Sequence, residues 1–159
     1  MGMNLLRPEL FTKGYHLSSF PLPAEIRQSV SQEDWIRVDR YFQTALSPDG
    51  DLYKYLATFH EFEKVEFIIS VRDALNEWEE DGIWHDDGSR VFAFSLSLTS
   101  LPVEGGKLGI KRIEDEHIEL IPTPDFGSII VFLTGQYGYE HKIHQVTKGR
   151  RVIIAGWCS

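Results

Sequence analysis

From Trp84 to the C-terminus the chain is divided into short strand-prone runs, each bounded by Gly, Pro, Asp or Ser. This rhythm constrains the fold more than any other feature. The runs are Val91–Thr99 (VFAFSLSLT), Lys107–Lys111 after Gly105 and Gly106, His117–Ile121, Ser128–Leu133 and Arg151–Trp157. Dense, short, turn-bounded strands are the pattern of an antiparallel barrel or sandwich. Val65–Arg72 (VEFIISVR) is ambiguous, because Val65, Phe67, Ile69 and Val71 alternate while Val65, Ile68 and Ile69 also fit a helix. The alternation favours a strand.

The first half has a different character. Lys13–Leu17 reads as a short strand, Pro21 and Pro23 end it, and a helix starts near Ala24. With Ser31 as N-cap and Asp34 at the third helical position, Trp35, Val38, Phe42 and Ala45 recur at helical spacing until Ser47, Pro48, Asp49 and Gly50 stop the pattern. Such an aromatic stripe is expected to pack on a sheet rather than bind a ligand. Helices followed by strands predict an α+β fold, mainly β, with the helices buttressing one sheet.

At 159 residues, with 42% hydrophobic against 25% charged side chains, the chain can bury one core. We expect a single domain over 1–159, with a helical part about 1–62 and a β core about 63–159. Asp plus Glu number 24 against 16 Lys plus Arg, a net charge of −8, which disfavours a protein that neutralises nucleic-acid phosphates. No apolar run reaches the ~18 residues of a membrane span, and the N-terminus lacks a signal-type apolar region. Cys158 is the single cysteine, so no internal disulfide forms and a reducing compartment, the cytoplasm, is expected.

Three ionisable clusters lie among the strands: His85, Asp86 and Asp87; His141 and His144; and Lys148, Arg150 and Arg151. Two imidazoles and a carboxylate on one face of a metal make the facial triad of non-haem iron(II). His-x-Asp suits it because residues i and i+2 of an extended segment point the same way. His85 and Asp87 meet that condition, and Asp86 then points away, as a surface or supporting group. The third ligand must come from a distant strand, for which His141 and His144 are both candidates.

Alone, His-x-Asp occurs by chance in many proteins. The string of motifs is more specific. His85-Asp86-Asp87 is followed by Arg90, VFAFSLSLT, Glu104-Gly105-Gly106-Lys107-Leu108, the segment PTPDFGSIIVF over 122–132, and HKIHQVTKGRR over 141–151. Over about residues 65–159 this order resembles the iron(II) and 2-oxoglutarate-dependent dioxygenase superfamily, in particular its small prolyl-hydroxylase-like bacterial members. The family's E-G-G-x-L, P-x-x-G-x-x-x-x-F and H-x-V-x-x-V-x-x-G-x-R segments each have a counterpart. Only His141 has Val146, Gly149 and Arg151 at the family's offsets, so the resemblance selects it over His144.

By the same resemblance, His85, Asp87 and His141 are the iron ligands. Arg151 pairs with the far carboxylate of 2-oxoglutarate, a task that suits a planar bidentate donor. Strand alternation points Arg150 away from Arg151, as a solvated charge, and Lys148 is set aside with it. The implied fold is a double-stranded β-helix, the jelly-roll or cupin-like core. The implied cofactors are Fe(2+), 2-oxoglutarate as cosubstrate and O2, with ascorbate as an accessory reductant. The implied reaction couples oxidative decarboxylation of 2-oxoglutarate to succinate and CO2 with hydroxylation of a C–H bond in an amino-acid, peptidyl or small-metabolite substrate.

Two departures from the family stand out. The positions that often carry a Thr or Tyr hydroxyl for the cosubstrate fall on Ala93 and Ser97, leaving Ser95, Ser97, Tyr137 and Tyr139 as substitutes. The acidic loop over 77–81 reads either as a solvated loop or as a ring of charge favouring a cationic substrate. Two other classes stay open: a cupin-like metal protein that does not use 2-oxoglutarate, and a catalytically silent binding domain.

Overall fold

The computed structural model describes residues 8–74 and 83–159. It shows the expected double-stranded β-helix with helices on one side. In chain order the elements are α1 (Pro8–Lys13), β1 (Tyr15–Ser19), α2 (Ala24–Ser31), α3 (Trp35–Ala45), α4 (Asp51–Ala57), β2 (Val65–Asp73), β3 (Phe92–Ser97), β4 (Glu104–Gly105), β5 (Leu108–Arg112), β6 (Glu119–Ile121), β7 (Ser128–Leu133), β8 (Tyr139–Ile143), β9 (Val146–Lys148) and β10 (Arg150–Cys158). The major sheet has the order β1-β7-β3-β10-β2, with antiparallel pairing throughout. The minor sheet is split into β6-β5-β8 and β4-β9.

The major sheet has two working faces. On β2, Phe67 meets Phe42 of α3 at 6.3 Å between ring centroids, so the odd residues face the helices. Val38, Phe42 and Ala45 are buried and Trp35 packs at the edge of the same core, as expected of the stripe. The even residues of β2 face the other way. With the odd residues of β10 they line a cavity between the two sheets.

Several local expectations give way. Lys13 ends α1 instead of opening the first strand, which begins at Tyr15 after Gly14 closes the helix through its N–H to the Leu10 carbonyl (3.0 Å). Asp34, not Ser31, caps α3, its carboxylate accepting from the Arg37 N–H at 3.2 Å. Ser31 instead closes α2, donating to the Gln28 carbonyl at 2.8 Å. The helix α4 and the short strands β4, β8 and β9 were not anticipated. Cys158 is buried at the end of β10, and burial pushes its thiol up, which makes it a packing residue. Among the described residues no helix is long and apolar enough to cross a membrane.

Candidate metal centre

The centre is assembled from the minor-sheet edge inward. His141 lies within β8, in register with Ile110 of β5. On its free side it forms an antiparallel bridge with His85, each N–H donating to the other's carbonyl at 2.9 Å. This fixes the imidazoles side by side, with ring centroids 4.2 Å apart and planes at 72°. The Phe132 ring of β7 packs against His141 at 4.8 Å and completes its cage.

Asp87 reaches the pair by a route the sequence argument did not foresee. Its backbone is left-handed, with φ 62, so it is not the second residue of an extended segment. Asp86 sets this turn: its Oδ1 accepts from the Gly88 N–H at 3.0 Å and its carbonyl accepts from the Gly135 N–H at 2.9 Å. Asp tolerates that region better than most residues because its short side chain bonds locally. The turn brings Asp87 Oδ2 to 3.3 Å from His141 Nε2 and Asp87 Oδ1 to 4.0 Å from His85 Nε2. Ligand atoms of His85, Asp87 and His141 all lie within 4.8 Å of one another.

The electrostatics of this group fit a cation. Burial pushes the Asp87 carboxyl up, against the pull of His85, Arg90 and a side-chain hydrogen bond from Trp157. Burial, with the neighbouring His85, pushes His141 down to about 3, so it is a neutral imidazole with a lone pair to give. His85 Nδ1 donates to the Ile83 carbonyl at 3.2 Å, which turns Nε2 toward Asp87. Asp87 Oδ2 is buried with no hydrogen-bond partner among the described residues, which costs ~1–3 kcal/mol unless a positive group meets it. Among the described residues His141 Nδ1 is likewise buried without an acceptor, and the Phe132 and His85 rings pack against this imidazole.

The imidazoles open onto a cavity of about 260 Å³ between the sheets, and Arg151 lines its wall. Arg151 is 4% exposed, and its stem runs past Gly106, where an added Cβ would stand 2.7 Å from the Arg151 Cδ. Gly106 also has φ 64, so the Glu-Gly-Gly turn leaves space for this arginine. Arg150 faces outward and is not simply solvated. Its guanidinium bonds both carboxylate oxygens of Asp73, at 2.6 and 3.2 Å, and also Glu33. His144 lies beyond the end of β8, outside both the ligand cluster and the cavity wall.

Of the substitute hydroxyls, only Ser95 lines the cavity. Ser97 is committed to the Pro124 carbonyl at 2.8 Å and the Thr99 N–H at 3.2 Å. Tyr137 bonds His60, and the Tyr139 ring packs against Gly14. Three wall residues with polar side-chain atoms were missed in the sequence: Ser70 and Arg72 of β2, and Trp157 of β10. The signal for the first two was present, since alternation of Val65, Phe67, Ile69 and Val71 onto one face puts 68, 70 and 72 on the other. The acidic loop over 77–81 lies outside the described residues.

No protein-family profile matches the chain. A PKHD-type hydroxylase of Gloeothece citriformis is 27% identical over 151 residues, which cover 94% of this chain and 60% of the relative. The chain therefore spans less than two thirds of that relative's length. Among solved structures, a Pseudomonas putida prolyl-4-hydroxylase aligns with TM-score 0.61 and 19% identity, covering 98% of this chain and 93% of the other. An oxidoreductase of the 2OG-Fe(II) oxygenase family from Burkholderia pseudomallei aligns with TM-score 0.65 and 13% identity, covering 100% and 90%. Over nearly its whole length, the chain thus shares the fold of the prolyl-4-hydroxylase-like iron(II) and 2-oxoglutarate oxygenases.

Proposed function

We propose that the chain is an iron(II)- and 2-oxoglutarate-dependent hydroxylase in which His85, Asp87 and His141 hold the metal and Arg151 holds the far carboxylate of the cosubstrate. The observation that carries this reading is two imidazoles and one carboxylate with ligand atoms within 4.8 Å of one another, beside a cavity that both imidazoles and Arg151 line. Fold likeness and the Gloeothece relative support it. Bound iron(II) would supply the site where dioxygen and 2-oxoglutarate react, giving succinate, CO2 and one oxygen atom for a substrate C–H bond.

The chain's own groups do the positioning. The Ile83 carbonyl holds the His85 ring, Phe132 and His85 hold the His141 ring, and the Asp86 turn aims Asp87. A cavity of about 260 Å³ is near the lower end of the ~300–1,000 Å³ typical of ligand sites, room for a small dicarboxylate. The body of the primary substrate, an amino acid, peptide or small metabolite, then lies across the mouth, where Ile68 is 53% exposed.

Anaerobic titration of the purified protein with iron(II) and 2-oxoglutarate tests the reading. A weak visible charge-transfer band is expected in the wild type. In Asp87→Ala most of the bound iron should be lost while the fold is retained. Metal binding without the band would favour a cupin-like protein that does not use this cosubstrate, and no metal binding would favour a silent domain. Full iron content in Asp87→Ala would overturn the ligand assignment. Uncoupled succinate production across an amino-acid, peptide and metabolite panel then identifies the substrate class.

A further inference from the structure

His85 has little strand pairing to hold it. Among the described residues it shares one isolated bridge with His141, and its Nδ1 donates to the carbonyl of Ile83, whose own side chain is 53% exposed. Between the imidazole and the carbonyl that orients it stands Trp84. Consecutive residues of an extended segment send their side chains to opposite faces. His85 lines the cavity, so Trp84 faces the outside of the minor sheet, and it is not among the residues that line the cavity.

The pairing register gives the indole a seat there. The antiparallel bridge of His85 with His141 puts Trp84 opposite Lys142 of β8, and Lys142 is paired on its other side with Gly109 of β5. His141 and Ile143 flank Lys142 and line the cavity, as does Leu108 beside Gly109, so Lys142 and Gly109 face outward. Gly109 leaves bare backbone, and the indole lies against it: an added Cβ would stand 3.3 Å from the Trp84 Cη2. The ring thus crosses β8 and ends at β5. The Nζ atoms of Lys111 and Lys142 each lie over it, 5.0 Å from the centroid, and Lys111 is itself held by Glu140 at 3.0 Å. Ammonium groups over an indole attract it, and the lysine stems add apolar contact.

We propose that Trp84 is a positioning residue for the metal. Seated on Gly109 and gripped by Lys111 and Lys142, its indole straps residues 83–85 to the minor sheet and so holds the His85 imidazole toward Asp87 and His141. A ligand left loose by even ~1 Å forfeits much of a site's function, which is why the support behind it matters. This inference rests on the reading of His85 as a metal ligand.

The test is metal binding by calorimetric titration, with no turnover involved. Cobalt(II) is the probe, because it binds nitrogen and oxygen donors more tightly than iron(II) and leaves weakened sites measurable. The variants are Trp84→Ala, Trp84→Phe, Gly109→Val, His85→Ala and the double variant of Trp84→Ala with His85→Ala, each checked by thermal unfolding without metal. Trp84→Ala should bind cobalt(II) ~10- to 100-fold more weakly, the usual cost of removing the support of a metal ligand. Trp84→Phe keeps an aromatic face for the two ammonium groups and should recover most of that loss. In the His85→Ala background Trp84→Ala should cost nothing more, because the strap acts through the imidazole. If Trp84→Ala does not fold, Gly109→Val carries the test, since it leaves the indole intact and fills its seat; it should weaken binding in the same direction. Wild-type affinity in the folded Trp84→Ala variant, or in Gly109→Val where that variant carries the test, overturns the strap. So does a loss that is undiminished in the His85→Ala background, the mark of a general structural role. Both results leave the metal-site reading intact as long as Asp87→Ala loses the metal. A wild-type protein that binds no cobalt(II), or binds it as well as Asp87→Ala does, overturns the metal-site reading and the strap with it.

Discussion

His141 and His144 are three residues apart and differ in every respect that matters to a metal. His141 is fixed in β8 by its bridge to His85, buried and neutral. His144 follows the strand, its N–H donating to the Lys107 carbonyl at 2.9 Å and its Nε2 lying over Gly109, where an added Cβ would be 3.3 Å away. Burial, then Lys142 and Lys107, hold the His144 pKa below the ordinary 6.5. The folded state therefore resists a proton that the unfolded chain accepts, so this contribution to stability is present above pH 6.5 and is lost as pH falls below it. His141→Ala should weaken iron binding by more than about 100-fold. His144→Gln should leave it nearly unchanged and reduce the acid-side loss of stability, measured as the unfolding midpoint between pH 7 and 5. A larger loss of iron at position 144 would refute the assignment. The placement of His141, rather than His144, beside His85 and Asp87 was legible because Val146, Gly149 and Arg151 follow His141 at the family's offsets. The geometry of Asp87 was not. Alternation pointed to the residue that the structure brings beside the two imidazoles, but through the wrong conformation, although the run Asp86-Asp87-Gly88-Ser89 carries a turn signal.

At the scale of elements, β10 ties the halves of the molecule together. It pairs with β2 on one side and β3 on the other, sending Arg151 and Ile153 to the cavity and Val152 and Ile154 to the core under the helices. Gly156, opposite Phe94 and Phe67, is the tight point of this ribbon, since an added Cβ would lie 2.2 Å from the Phe94 ring. Gly156→Ala should force that ring aside at a cost of ~1–3 kcal/mol, read as a lower denaturant midpoint at unchanged slope. Iron binding should persist, because no ligand is touched. An unchanged midpoint would mean that the ring yields freely. The longer strands were readable because each carries apolar residues between turn signals. Strands β8 (YEHKI) and β9 (VTK) were not, because polar residues interrupt the apolar pattern. Helix α4 was hidden by its own boundary: Ser47 to Gly50 marked the end of α3, and the same residues lead into the helix that starts at Asp51.

For the whole molecule, the major sheet couples the core to the site. One face holds the helices, and the other is the cavity wall that β10 and β2 share. A ligand gripped between the two sheets therefore stabilises the global fold and not only a loop, by an amount set by mass action. At 100 times its dissociation constant, a metal that binds only the folded chain adds ~2.7 kcal/mol. For a chain of this size each kcal/mol raises Tm by ~2–4 °C. Saturating divalent metal, added anaerobically, should thus raise Tm by about 5–11 °C in the wild type. It should raise Tm hardly at all in Asp87→Ala, where the buried carboxylate is gone. Adding 2-oxoglutarate should give a second increment in the wild type and in His144→Gln and, on the role proposed for Arg151, none in Arg151→Ala. An equal metal-induced shift in wild type and Asp87→Ala would place the metal elsewhere. A normal 2-oxoglutarate increment in Arg151→Ala would remove that residue from the site. Scanning calorimetry of the four proteins, with metal alone and with metal plus cosubstrate, separates these outcomes because in the proposed site the two ligands rest on different residues.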